Sequence, residues 1–322
     1  MNLNYSDEQN MLREQVLKFC ETNYDFIDRE KILESDSGFS KDNWQQFAEL
    51  GLLGLPFSEE DGGLNFGSVE TMIVAEEFGK GLVVEPYIQT VVTCGGFLRR
   101  ASANIKEKYI PGIISGEDIW AFAYAEPQGR YNLNDLTTTA TLDGDNYIIN
   151  GYKSVVSGGP WANKFIVSVR TAGDQRDSDG ISVLIVDKNS EGLSIRDYPT
   201  VDGSRASEIT LENVSISKDE LIGEEGKGAE LIELIVDETI AAICSEAIGA
   251  MKVLNDATVE YCKTRKQFGQ PLSKFDSIVG KIADITIQTY VADTMLYRTV
   301  GMIQDAIEDL DKSDSSYYKK MG

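Results

Sequence analysis

Tyr261-Cys262-Lys263-Thr264-Arg265-Lys266-Gln267-Phe268-Gly269-Gln270-Pro271-Leu272 stands between two long helical patterns. Gly269 and Pro271 end the first, and the second begins after them. Upstream, Thr239 to Ser245 carries no charge, which predicts a helix buried on most sides. Downstream, Ile278, Ile282, Ile285, Ala292, Leu296, Val300, Ile303, Ile307 and Leu310 recur in threes, fours and their sums, an amphipathic stripe. If helical from 277 to 310, the segment spans roughly 50 Å at 1.5 Å per residue, a length typical of bundles.

Further upstream the period changes. Ile119 to Ala125, Thr137 to Leu142, Tyr147 to Asn150, Phe165 to Arg170 and Ile181 to Val186 are short and rich in β-branched and aromatic residues. Asp143-Gly144-Asp145 marks a hairpin between two of them. No long helical pattern separates these runs, so an antiparallel barrel or sandwich is expected rather than a parallel α/β sheet. The first block is helical again. Ser6 is a good N-cap ahead of Asp7 and Glu8, and Leu12, Val16 and Phe19 form a stripe. Val69 to Phe78 reads as a further helix between the turn clusters at Glu60 to Gly63 and Gly79 to Gly81. The expected architecture is a multi-domain α+β chain: an N-terminal α-helical domain (1–118), a middle antiparallel β-barrel or sandwich (119–226) and a C-terminal helical bundle (227–322).

The net charge is −23 over 322 residues, which repels phosphate backbones and argues against a nucleic-acid partner. No run is long and apolar enough to span a membrane, and Met1 to Asn10 lacks the basic and apolar regions of a signal peptide. A cytoplasmic protein is expected. Cys20, Cys94, Cys244 and Cys262 form no Cys-x-x-Cys pair and read as buried, inert thiols. The sequence has no histidine. That excludes Ser–His–Asp and Cys–His catalysis and histidine-based metal sites, and no metal is expected. Chemistry here needs a carboxylate, a lysine, a tyrosine or a cofactor.

Neither glycine fingerprint for phosphate, G-x-x-x-x-G-K-[ST] or G-x-G-x-x-G between strand and helix, is present. In the segment 261–272, Arg265 offers a planar charged fork suited to phosphate, Phe268 an aromatic face and Gln267 an amide. Those residue types equally suit a plain helix–helix turn with a basic surface.

As a string, the segment resembles the signature of the acyl-CoA dehydrogenase family, Tyr-x-x-x-Arg-x-Gln/Thr-Phe-Gly-x-x-Leu/Ile. The resemblance covers nearly the whole chain. Leu50 to Pro56 with Gly62-Gly63, and Glu76-Glu77-Phe78-Gly79, are similar to the family's N-terminal helical domain. The three-block order also resembles the family plan. It implies that Arg265, Gln267 and Phe268 reach the pyrophosphate and adenosine of a neighbouring subunit's FAD. Ala125-Glu126-Pro127-Gln128-Gly129-Arg130-Tyr131-Asn132 resembles the family's flavin cradle Thr-Glu-Pro-x-Ala-Gly-Ser-Asp, with Ala125 for the Thr and Tyr131 for the Ser. Gly151 to Gly159 resembles Gly-x-Lys-x-Trp-Ile-Thr-x-Gly. By position Val155 replaces the Trp that covers the flavin, Val156 the Ile, and Ser157 the Thr that bonds the flavin N5 region. Ordinary loops and strand ends are the alternative for both segments.

The departures resemble a subgroup, the small subunits of heteromeric dehydrogenases of the pimeloyl-CoA type. The implied reaction is FAD-dependent α,β-dehydrogenation of an acyl-CoA thioester. The implied partners are a larger dehydrogenase subunit or a second copy, with electron-transfer flavoprotein as acceptor. A carboxylate must remove the α-proton. One family position for it is occupied here by Thr239, which cannot act as a base. Glu238 is adjacent but rotated by about 100° around the helix, so it is a candidate base whose plainer reading is a surface or interface acid. Asp237 and Thr239 are candidates for the substrate side. The other family position lies beyond Met321-Gly322, which reads as a truncated bundle. The alternative to an enzyme is a non-catalytic partner subunit supporting the FAD and substrate sites of a catalytic one. A flavin oxidase on the same fold is a third reading.

Overall fold

The computed structural model describes residues 5–310, with side chains through 307; the chain's end falls outside them. Helices come first: α1 (Asp7–Asn23), α2 (Phe26–Glu34), α3 (Lys41–Glu49), α4 (Ser68–Gly81), a π-helical stretch (Ile88–Cys94) running into α5 (Gly95–Arg99), and α6 (Ala103–Ile114). The strands are β1 (Trp120–Ala123), β2 (Thr139–Asp143), β3 (Asn146–Ser157), β4 (Lys164–Arg170), β5 (Ile181–Asp187), β6 (Leu193–Pro199), β7 (Arg205–Ser217) and β8 (Leu221–Ile222). Then come α7 (Gly228–Thr264), the short β9 (Lys266–Gln267) and β10 (Gln270–Pro271), and α8 (Asp276–Leu310). The chain divides into two compact units. One holds residues 30–66 and 84–239, and the other the described parts of 1–29, 67–83 and 240–322.

The first unit is built on one sheet of order β6-β7-β3-β2-β4-β5-β8, with β1 also on β4. Asp143 pairs with Asn146 and leaves Gly144-Asp145 as the two-residue hairpin loop, with Gly144 at φ 62°. Ile149, Val156, Phe165, Val167, Val169, Leu184, Val186, Ile209 and Leu211 are almost wholly buried in the sheet's core. Each contributes about 1.5–3 kcal/mol by leaving water.

The sheet corrects the antiparallel expectation. It is mixed, because β1 runs parallel to β4, from Trp120 beside Lys164 to Ala123 beside Val167. Among the described residues its strand order is also an open path rather than a closed ring. The cause is the cover on both faces of β1. Ala121 and Ala123 enter the sheet core, while Phe122 meets Phe97 of α5 at 4.8 Å and Trp120 meets Tyr109 of α6 at 5.1 Å. A strand fed from helices and covered on both faces is the setting in which parallel pairing occurs. The strands β6, β7 and β8 were not among the expected runs. In β6 only Leu193, Ile195 and Tyr198 are even half-buried, so the edge strand has little hydrophobic signal.

In the helical unit, Ser6 caps α1 in a capping box with Gln9, and Leu12, Val16, Phe19 and Cys20 turn inward. Met72 and Ile73 of α4, Ala241 and Ile248 of α7, and Leu296, Val300 and Ile303 of α8 form one core. Glycine makes the α4–α7 approach possible. A Cβ at Gly79 would sit 1.9 Å from the Glu246 carbonyl oxygen, and one at Gly249 2.0 Å from that of Glu76.

Three expectations change here. The stretch 239–245 buries only one face, because Ile240 and Ile243 are about half exposed, at 51% and 50%. Cys244 lies on that open face and is exposed, whereas Cys20, Cys94 and Cys262 are buried. The apolar stripe of α8 also splits. From Ala292 to Ile307 it packs into the core, but Ile285 is 44% exposed and Ile278 and Ile282 are half-buried. The side chain of Leu310 lies outside the described residues.

Candidate functional site

β1 is short because the chain turns out of the sheet at Tyr124, and the segment Ala125 to Gln128 follows. Glu126 in this segment points inward and is only 4% exposed. Its Oε1 accepts from Lys153 Nζ (2.8 Å) and the Thr138 amide (3.1 Å). Its Oε2 accepts from Gln128 Nε2 (2.8 Å), the Thr137 amide (2.7 Å) and the Thr137 hydroxyl. Lys153 is wholly buried, and its ammonium also donates to Ser168 Oγ and the Tyr124 carbonyl, each at 3.3 Å. Burial alone raises the Glu126 carboxyl. The Lys153 ammonium, with hydrogen bonds from Lys153, Thr137 and Gln128, outweighs that and brings it down to about 2. Burial pushes the Lys153 ammonium down to about 8 despite the carboxylate beside it.

β3 carries the second half of the site. Ser154 donates its amide to the Ala125 carbonyl (2.8 Å), so Lys153 and Ser154 lie against Ala125 and Glu126, with Ser157 three residues further along the strand. Against β7, Lys153 pairs with Ile209 but Val156 with Ser207, a register shift of one extra residue in β3. Val155 takes the bulge at φ 51°, a left-handed conformation costly for a β-branched side chain. Val155 is 60% exposed, Val156 is buried in the core, and Ser157 is exposed. Gln89 Nε2 donates to Ser157 Oγ at 3.1 Å. A hydroxyl has one donor and two acceptor sites, so its proton is left to donate outward.

The remaining predicted residues separate. Glu126 and Val156 point inward, so only their backbones can face a ligand. Pro127 is exposed, and Tyr131 is 99% exposed in the turn Gly129 to Asn132. Arg265, Gln267 and Phe268 lie in the helical unit, and all three are exposed. The β9–β10 pair presents them, with Phe268 at φ 52° and Gly269 at φ 83° forming its turn. Phe268 is 94% exposed and touches Phe275 edge-on at 6.4 Å.

On the first turns of α7, Thr239 donates its hydroxyl to the Ile235 carbonyl (2.8 Å) and lies 2.9 Å from the Thr93 hydroxyl. Asp237 is half-buried. Glu238 corrects the reading of a surface acid, since it is only 7% exposed. Its Oε2 accepts from Arg99 (2.8 Å) and its Oε1 from Arg100 (2.6 Å). Burial lowers the Arg99 guanidinium, with Glu238 opposing.

Sequence reasoning assigned no role to Lys153, Gln89, Thr93, Arg99 or Arg100. Only Lys153 had a signal: it stands in phase with Tyr147 and Ile149, the inward residues of β3. A lysine on the buried phase of a strand requires a partner. The others meet their partners only through tertiary packing.

The family description "Acyl-CoA dehydrogenase, N-terminal domain" matches residues 6–117, the middle-domain description 121–214 and the C-terminal-domain description 226–322. The chain belongs to the acyl-CoA dehydrogenase family. It is 30% identical over 308 residues to "Probable acyl-CoA dehydrogenase YngJ" of Bacillus subtilis, covering 94% of this chain and 80% of that protein. It is 28% identical over 322 residues to "Acryloyl-CoA reductase (NADH)" of Anaerotignum propionicum, covering 98% and 81%. Among solved structures, butyryl-CoA dehydrogenase from Megasphaera elsdenii superposes with a TM-score of 0.86 at 25% identity, over 95% of this chain and 82% of that one. The FAD complex of PigA gives 0.87 at 26%, over 98% and 82%. Among the described residues no helix is long and apolar enough to cross a membrane.

Proposed function

We propose that the chain binds FAD and takes part in the α,β-dehydrogenation of an acyl-CoA thioester, with its three parts 1–118, 119–226 and 227–322 acting as the family's three domains. The observation that carries this is Ser157, exposed just beyond the bulge of the strand whose Ser154 holds Ala125, with its hydroxyl proton available to an acceptor. An outward hydroxyl donor fits an acceptor at the edge of a flavin ring. When bound, FAD supplies the two-electron acceptor for the β-hydrogen. Ser157 donates to the N5 region. Ala125, Glu126, Pro127 and Val156 line the ring through their backbones, and Val155 and Tyr131 through exposed side chains. Arg265, Gln267 and Phe268 bind the pyrophosphate and adenosine of a neighbouring subunit's FAD. Asp237 and Thr239 stand on the substrate side.

Glu238 does not serve as the base in this reading, because both of its oxygens are held by guanidiniums. That favours work as the small subunit of a heteromer of the pimeloyl-CoA type, with the larger subunit supplying the base and electron-transfer flavoprotein taking the electrons. The same observation supports a second reading, a partner subunit that is not itself catalytic.

The test mixes the purified chain with FAD and an acyl-CoA and follows bleaching of the visible flavin band, with and without the larger subunit. Bleaching by the chain alone excludes the non-catalytic reading. Bleaching only in the mixture, unaffected by Glu238→Gln, places the base elsewhere than Glu238. Arg265→Ala is expected to lower the flavin retained through gel filtration, and unchanged flavin content removes that residue from the site.

A further inference from the structure

In an unbroken strand the two-residue period that puts Lys153 inside would put Val155 and Ser157 inside as well. The bulge at Val155 adds one residue, and beyond it Val156 takes the core position and Ser157 the outer face. The outward hydroxyl of Ser157 therefore depends on a left-handed valine, a conformation that persists only where its surroundings over-determine it. Two restraints flank it. On the C-terminal side, the ladder resumes with Val156 beside Ser207 and Ser157 beside Ala206. On the N-terminal side, the strand is fixed by Lys153, whose ammonium has three acceptors (Glu126, Ser168 and the Tyr124 carbonyl), and by the Ser154 amide on Ala125.

We propose that the buried Glu126–Lys153 pair is a positioning device: it locks the β3 bulge in place, so that Ser157 faces outward and Ala125 is held against Ser154. The part of this that concerns flavin rests on the function proposed above; the part that concerns the bulge does not. Neither side chain touches a ligand. Glu126 reaches it by fixing Thr137, Thr138 and Gln128 around its own backbone turn, and Lys153 by anchoring the residue two places before the bulge. An apolar side chain at 153 would fill the same volume without direction, whereas the ammonium requires three acceptors at once. Burial lowers the Lys153 ammonium, while that ammonium and the donors from Thr137 and Gln128 hold the Glu126 carboxyl below its usual range against the opposing effect of burial.

Removing one partner leaves a lone buried charge and tests only folding, so the variant to make is Lys153→Met with Glu126→Gln in the full chain. Hydrogen–deuterium exchange without ligand reads the bulge directly. Exchange is expected to rise in peptides covering 154–158 while peptides covering 181–187 of β5 stay protected. FAD affinity, read by flavin fluorescence, is expected to fall about tenfold or more, the loss of at least one well-placed contact. Unchanged exchange at 154–158 overturns the proposal, and so does a rise spread across the whole sheet, which marks the pair as merely structural. A local rise with unchanged FAD affinity overturns its link to the flavin site. If the unaltered chain takes up no FAD, the proposed function fails while the exchange result still decides the bulge. Should the double variant not fold, Thr137→Val, which deletes one hydroxyl donor to Glu126 without touching a charge, is judged by the same two exchange criteria.

Discussion

Glu126 and Glu238 lie in the same unit and are almost equally buried, at 4% and 7% exposure. Their surroundings differ in kind. Glu126 faces one ammonium and four neutral donors, so charge cancels and every partner has a fixed direction. Glu238 faces two guanidiniums and leaves one positive charge in surplus. A balanced pair with neutral donors makes a rigid joint between segments. A carboxylate with each oxygen bound to a guanidinium is held in place, whereas a base must present an oxygen to the proton it removes.

The largest expected effect follows from the balanced pair. Lys153→Met alone strands the Glu126 carboxylate in the core and should cost about 3–5 kcal/mol of stability. Urea unfolding of the variant against the parent measures it. The same removal at the other site, Arg100→Met, leaves Arg99 on Glu238 and should cost about 1–2 kcal/mol, the loss of one charge-assisted hydrogen bond. Equal losses at the two sites would break the distinction between a joint and a shared carboxylate.

That distinction was only partly legible in the sequence. The helical stripes of α1 and α4, the β2–β3 hairpin and the alternation of the blocks are local patterns, and they were readable as such. The motif Gly151 to Gly159 could be found by string, but the bulge within it could not. A one-residue register shift depends on what β7 offers opposite, and Val155 has no local preference for a left-handed backbone. Glu238 looked like a surface acid because Arg99 and Arg100 lie some 140 residues earlier, and only packing of α5 against α7 joins them. The exposed faces of Ile240, Ile243 and Cys244 escaped for the converse reason: an uncharged stretch signals burial whether or not this chain alone provides the cover.

A third buried carboxylate sharpens the comparison, since Glu85 has no cation in its set. Its Oε1 accepts the Ser40 amide at 3.0 Å, and its Oε2 is buried without a hydrogen-bond donor among the described residues. Burial raises its carboxyl from 4.5 to about 7, with backbone hydrogen bonds opposing. The folded state therefore holds a proton between these values that the unfolded chain has lost. Stability should fall as pH rises through that window, by about 3 kcal/mol in all, and Glu85→Gln should flatten the dependence. Glu126 has the opposite sign. Its folded carboxyl lies near 2 against 4.5, so its contribution is present above 4.5 and is lost as pH falls toward 2. Urea midpoints from pH 3 to pH 8 should thus show a rise from the acid side, to which Glu126 contributes with the other lowered carboxylates, and a decline toward neutrality from Glu85. A Glu85→Gln profile identical to that of the parent removes Glu85 from the account.

The smallest effect tests the end of the chain of restraint that begins at Glu126. Gln89 meets Ser157 at an exposed position, so Gln89→Leu should change stability by no more than about 0.5–1 kcal/mol. Its consequence is orientational. Without the amide donor the Ser157 hydroxyl is free to rotate, and its proton is no longer directed outward by an occupied lone pair. On the proposed function, flavin binding should weaken by a few-fold, about 0.5–1 kcal/mol for one neutral hydrogen bond. Gln89→Asn, which keeps the amide on a shorter stem, should recover little, because the 3.1 Å contact is already long for N–H···O. If Gln89→Leu and the Glu126–Lys153 double variant weaken flavin by additive amounts, the pair and the amide act on Ser157 independently. If the Gln89 effect disappears in the double variant, the amide is useful only once the bulge has turned Ser157 outward, and the buried joint comes first.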